Sequence, residues 1–98
     1  MIKFITTENE LYPSTDGIIY FYSSDQISPV GELMFLMLSK LDKNYDIICI
    51  DLYYFNNLHK RFNIIETPTI IIMEDGSEIK RITGTPSINY LNNFLGKD

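Results

Sequence analysis

The residues of this sequence that could do nucleophilic chemistry are few, and they do not form a catalytic set. Ser23, Ser24 and Ser28 lie between an apolar run and a run of helical spacing that begins at Pro29. A serine nucleophile needs a base such as histidine beside it, and the only histidine, His59, is expected in a helix away from this turn. We therefore interpret the serines as turn and capping residues, although reactive groups are expected at such a strand-to-helix junction.

Redox or metal chemistry has one candidate, Cys49, because the chain contains a single cysteine. One cysteine excludes an internal disulfide and a zinc site built from several cysteines. Its isoleucine neighbours in the stretch IICIDL indicate a buried core residue, whereas a reactive thiol needs exposure and a depressed pKa. No metal and no other cofactor is expected.

Length and composition predict one ordinary globular domain over residues 1–98. The chain is 45% hydrophobic and 21% charged, which separates it from disordered sequences. A formal net charge of −5 opposes direct nucleic-acid binding, because binding to the phosphate backbone is favoured by positive charge on the protein. No apolar run is long enough to span a bilayer, and the polar start does not resemble a signal peptide. We therefore expect a cytoplasmic protein without membrane contact. We also expect a monomer.

Hydrophobic periodicity predicts the elements that must position any site. Continuous apolar runs indicate strands covered on both faces, and apolar residues three or four apart indicate helices. Asp75-Gly76 tolerates the positive φ angles of a tight hairpin turn. The predicted elements are strands at 2–6, 17–23 and 46–52, one helical turn before Pro13, helices at 29–41, 56–64 and 87–95, and a hairpin at 69–83.

This order, βαβαβαββα with a shortened first helix, predicts an α/β fold. Two early strand–helix–strand units favour parallel pairing with right-handed crossovers, and the final hairpin adds antiparallel strands. We therefore expect a mixed central sheet flanked by helices on both faces.

The stretch HKRFNIIETPT, followed by the hairpin, resembles the thioredoxin family. The resemblance runs without a gap from Asp51 to Leu95 and, less closely, over the rest of the chain. It implies the thioredoxin-like fold, with the family's cis-proline at Pro68 and the glycine of its substrate groove at Gly84. Physical reasoning agrees about Pro68, because a proline that cannot donate to a strand ladder is well used as a cis bond directly before the strand.

The same resemblance assigns the family's Cys-Gly-Pro-Cys motif to Ile27, Ser28, Pro29 and Val30. Disulfide exchange needs one thiolate to attack and a second thiol to resolve the mixed disulfide, and neither is present. The supporting positions differ as well: the family's buried acid corresponds to Phe21, its lysine neighbour to Cys49 and the indole before the motif to Gln26. Loss of the whole set implies a protein without thiol–disulfide oxidoreductase activity.

The resemblance also implies a groove that binds a protein or peptide partner. In the family this surface holds an extended peptide by backbone hydrogen bonds, which require no cysteine. The implied groove residues are Gln26, Ile27, Thr67, Pro68 and Gly84.

Two other functions and one local question stay open. A disulfide oxidoreductase with a non-standard site is one alternative. A viral or phage accessory subunit is another, because the absence of Ala and Trp is typical of AT-rich coding sequences. The aromatics Tyr53, Tyr54 and Phe55 are either an exposed anchor for a partner or, as we prefer, residues that pack under the short helix.

Overall fold

The structure is a computed structural model that describes residues 2–8, 17–26, 29–41 and 46–96. The helical turn expected before Pro13 falls within 9–16, outside these residues. The strands are β1 (Ile2–Phe4), β2 (Gly17–Tyr22), β3 (Ile47–Asp51), β4 (Thr69–Glu74) and β5 (Ser77–Thr83), and the helices are α1 (Pro29–Ser39), α2 (Leu58–Arg61) and α3 (Ile88–Gly96). A turn of 3-10 helix, Ser24–Gln26, precedes α1.

The five strands form one mixed sheet in the order β1-β3-β2-β4-β5. The strands β1, β3 and β2 run parallel, whereas β4 is antiparallel to β2 and β5 is antiparallel to β4. The predicted fold class is therefore confirmed, with crossovers early in the chain and a hairpin near its end.

The central strand β2 is buried on both faces, as its continuous apolar run predicts. Ile19 and Phe21 belong to the core cluster on the face that α2 covers. Ile18 and Tyr20 belong to the cluster that α1 and α3 cover. Alternate side chains of one strand thus hold the two layers of helices to the sheet.

The short helix α2 ends earlier than predicted because Asn63 takes the left-handed conformation, with φ 54°. The Ile64 N–H donates to the His59 carbonyl at 2.8 Å and the Asn63 N–H to the Lys60 carbonyl at 3.3 Å, a pattern that closes a helix C-terminus. Asparagine tolerates this conformation better than most residues, so the helix stops at Arg61.

The hairpin turn is as the sequence predicts. Asp75 and Gly76 have φ angles of 53° and 78°, so both central residues are left-handed.

No helix among the described residues has the length and apolarity needed to cross a bilayer.

Candidate functional site

The candidate residues gather at one end of the sheet, which we call the loop end. It comprises the segments that follow β1, β2, β3 and β5 and the segment that precedes β4: 5–8, 23–26, 52–57, 84–87 and 64–68. The strand registers require this, since Tyr22 pairs with Asp51 and Thr69 pairs with both Phe21 and Thr83. The opposite end carries the Asp75–Gly76 turn, and we call it the hairpin end.

The redox-motif equivalents begin at this loop end. Gln26 is the last residue of the 3-10 turn, and Pro29 and Val30 are the first residues of α1. Ile27 and Ser28, which lie between them, are outside the described residues. Of the motif positions, the structure thus describes Pro29 and Val30, at the start of α1.

A buried carboxylate holds this turn. The Asp51 Oδ1 atom accepts the backbone N–H of Ser24 and that of Tyr53, each at 3.0 Å. The Leu52 N–H also donates to the Tyr22 carbonyl at 2.8 Å. Sequence reasoning missed Asp51, although a carboxylate at the end of the buried run IICID was the available signal.

The Ser23 hydroxyl and the His59 ring have different hydrogen-bond partners. The Ser23 hydroxyl donates to the Asp25 carboxylate within the same turn. His59 lies in α2, and its Nδ1 atom is 3.3 Å from the Ile64 carbonyl oxygen. Ser23 and His59 are thus each engaged by a neighbour in their own segment, and they do not form a nucleophile–base pair.

Thr67 and Pro68 lie directly before β4, joined by a cis peptide bond. The following residue, Thr69, is buried, and its hydroxyl donates to the Glu66 carbonyl at 2.6 Å. The Gly84 N–H donates to the Pro68 carbonyl at 2.9 Å, which ties this segment to the end of β5.

Gly84 has a backbone conformation that favours glycine, with φ 90°. A Cβ atom built at this position would meet nothing within 4 Å. The space beside Gly84 where a side chain would lie is therefore open.

The positions of the family's buried acid and its neighbour are core positions here. Phe21 is fully buried and its ring centroid lies 5.1 Å from that of Phe62. Cys49 is 1% exposed within β3, and burial raises the pKa of its thiol from 9.0 to about 12. A thiol in this state is neither accessible nor ionised near neutral pH.

The aromatic segment after β3 is mostly exposed, which corrects our preference for packing. Tyr53 and Tyr54 are 57% and 73% exposed, and their rings meet edge to face at 5.0 Å. Only Phe55 packs against the core. Ile65, which sequence reasoning did not single out, is 87% exposed in the segment before Pro68.

A cavity of about 580 Å³ lies away from these residues, towards the hairpin end, with Arg61, Met73, Gly76 and Glu78 in its lining. Its Arg81 guanidinium is already engaged by the Glu78 carboxylate, at 2.7 Å from both Nε and Nη2. The same guanidinium donates to the carbonyls at the end of α2, and its hydrogen bond lowers the pKa of the Glu78 carboxyl. Arg81 and Glu78, two of the charged residues that line this cavity, thus pair with each other.

The described residues contain no group of three or more His, Cys, Asp or Glu side chains placed to hold a metal ion.

No protein-family model and no curated protein sequence matches the chain. Solved structures do. A single-residue mutant of thioredoxin from Halobacterium salinarum is 13% identical, with a TM-score of 0.79 over 96% of this chain and 87% of that chain. Mitochondrial thioredoxin 3 from Saccharomyces cerevisiae, in its oxidised form, is 22% identical, with a TM-score of 0.77 over 97% and 93%.

Thioredoxin 1 from Thermosipho africanus is 27% identical, with a TM-score of 0.67 over 81% of this chain and 89% of that chain. These likenesses extend over most of both chains in each pair, and they agree with the strand order and the helix layers described above. The chain has the thioredoxin fold.

Proposed function

We propose that this chain is a binding module that holds an extended polypeptide at the loop end without disulfide exchange. The observation that carries the proposal is the open surface beside Gly84, next to the hydrogen bond from its N–H to the Pro68 carbonyl. A bound extended chain is held by main-chain hydrogen bonds, which supply affinity, while contacts of its side chains supply specificity. In the proposed complex, Gln26, Ile27 and Thr67 complete the groove.

The state of the cysteine supports binding without reaction. The chain has one thiol, and that thiol is buried within β3 with its pKa raised by burial. Attack on a disulfide needs an accessible thiolate, and release of the mixed disulfide needs a second thiol. A disulfide oxidoreductase with a non-standard site would need both from elsewhere.

The binding test uses a fluorescein-labelled, cysteine-free extended peptide rich in Thr and Val, titrated with the protein and read by fluorescence anisotropy. Ile65→Ser removes an exposed apolar side chain at the loop end and is expected to weaken binding about fivefold. Ile79→Ser is the matched control, because Ile79 is 50% exposed but lies in β5 near the hairpin end. Equal weakening by both variants, or no binding by the wild type, would refute the proposal.

The oxidoreductase alternative is decided by reduction of insulin disulfides with dithiothreitol as the reductant. We expect the rate of the wild type to equal the rate of the blank. A rate above the blank that disappears in Cys49→Ser would establish the enzyme instead.

A further inference from the structure

The loop end differs from the rest of the described surface in its exposed apolar groups. Tyr53, Tyr54 and Ile65 are more exposed than any other large apolar side chain among the described residues. All three lie in loop-end segments, on the two sides of the turn at the end of β2 in the sheet order. Exposed aromatic and aliphatic groups concentrated at one end of a sheet are typical of a surface that binds a partner.

The charges of the same segments define the partner. The five loop-end segments contain the carboxylates Glu8, Asp25 and Glu66 and no lysine, arginine or histidine. The basic residues that follow β3 lie in α2, where Arg61 faces the cavity towards the hairpin end and is 5.4 Å from the Phe62 ring. The loop end is therefore acidic, in a chain whose net charge is −5.

Hydrogen bonds connect the segment of the exposed rings with two of the acidic segments. The Asp51 Oδ1 atom connects Ser24, next to Asp25, with Tyr53. The Asn57 side-chain amide donates to the Glu8 carboxylate at 3.5 Å, three residues beyond Tyr54. The segment that carries the exposed rings is thus hydrogen-bonded to two of the three segments that carry carboxylates.

We propose that the polypeptide held at the loop end is a basic segment, with lysine or arginine side chains directed to Asp25, Glu66 and the faces of Tyr53 and Tyr54. This inference rests on the proposed function and specifies the chemistry of its partner. A guanidinium or ammonium group is attracted both by carboxylates and by the face of a phenol ring. The aliphatic stem of the same side chain covers the apolar part of the surface.

The test compares three cysteine-free peptides with the same Thr/Val backbone, whose alternate positions carry Lys/Arg, Ser or Glu. Anisotropy titrations are run at low and at high salt. The basic peptide is expected to bind about tenfold more tightly than the Ser peptide at low salt, and added salt is expected to reduce this difference. The Glu peptide is expected to bind most weakly.

Matched variants locate the effect. Asp25→Asn with Glu66→Gln is expected to weaken binding of the basic peptide about fivefold and to leave the Ser peptide unchanged. Glu74→Gln, an exposed carboxylate at the end of β4, is the charge control. Tyr54→Ala is expected to weaken the basic peptide about threefold, and Tyr90→Ala, at an exposed tyrosine of α3 beside Lys80, should not.

The outcomes separate this inference from the function on which it rests. Equal affinity for the basic and Ser peptides, or equal effects of the loop-end variants and their controls, would overturn the basic partner while leaving a binding module. Tighter binding of the Glu peptide would also overturn it. Failure of all three peptides to bind would overturn both.

Discussion

Asp51 is a buried side chain whose Oδ1 atom accepts two backbone N–H groups from different loops, those of Ser24 and Tyr53. Backbone donors at the ends of strands need partners when they are partly buried. One carboxylate oxygen meets this need for two loops and so fixes their separation. Asp51 therefore contributes to the candidate site by holding these two loops in place.

Asp51→Ala is expected to lower the free energy of unfolding by about 2–4 kcal/mol, since two N–H groups lose their acceptor. Asp51→Asn keeps an oxygen in the same position, and we expect a loss of about 1 kcal/mol. Urea unfolding followed by circular dichroism measures both. Equal losses for the two variants would contradict the role of Oδ1 as a shared acceptor.

Alkaline pH is expected to destabilise the protein through buried groups. Desolvation is the main cause that raises the pKa of Cys49 from 9.0 to about 12 and that of Tyr22 from 10.0 to about 12. These pKa values are higher in the folded than in the unfolded state. The stability they contribute is therefore complete below about pH 9 and is lost as the pH rises towards 12.

The urea midpoint measured at increasing pH tests this dependence. Wild type should fall in midpoint between about pH 9 and pH 11, and Tyr22→Phe, which keeps the ring and removes its titration, should fall less. A midpoint that is constant over this range, or an identical fall in the variant, would contradict the account.

At the scale of elements, β2 joins the two helical layers, because successive side chains belong to opposite core clusters. Phe21 is fully buried in this strand against Phe62. A charge introduced there would be desolvated with no cation beside it in the cluster. The element therefore excludes an ionised acid at the position where the resemblance assigns one to the family.

Phe21→Asp is expected to lower the free energy of unfolding by at least about 4 kcal/mol, by lost packing and by burial of a carboxyl group. Phe21→Leu should cost about 1–2 kcal/mol and remain folded. Phe4→Asp is a control at a ring that is 53% exposed in the edge strand β1, and it should lower the free energy of unfolding by about 1 kcal/mol. A Phe21→Asp protein as stable as Phe4→Asp would refute the account of β2.

The sequence predicts most elements, because burial on both faces and helical spacing leave distinct patterns. The strands, the hairpin turn and the helices α1 and α3 agree in type and in approximate bounds. The length of α2 could not be predicted, because it depends on the left-handed conformation of Asn63. Exposure of Tyr53 and Tyr54 was also missed, since aromatic residues after a strand are equally compatible with packing and with display.

At the scale of the whole molecule, the order and direction of the strands form the candidate site. Segments distant in the sequence, around Ser24, Tyr53, Pro68 and Gly84, meet because parallel and antiparallel strands end at the same side of one sheet. Without the resemblance, the pattern of residues along the chain does not indicate that these segments lie together. The link between Asp51 and the turn needs the register of β2 with β3.

The distribution of charge is a second property of the whole chain. Composition alone gives a net charge of −5, which argues against nucleic-acid binding but identifies no surface. The fold places the segments of Glu8, Asp25 and Glu66 at the same end of the sheet as the exposed aromatic pair, and the described lysines and arginines lie outside the loop-end segments. An acidic end of this kind favours approach of a basic partner before contact.

The central claim is that the loop end holds an extended polypeptide without sulfur chemistry, and amide chemical-shift mapping tests it most directly. A cysteine-free basic peptide is added to the ¹⁵N-labelled protein under reducing conditions. We expect the largest shifts at Tyr53, Tyr54, Thr67 and Gly84, and no change at the hairpin turn of Asp75 and Gly76. Shifts confined to the hairpin end, or no shifts at saturating peptide, would contradict it.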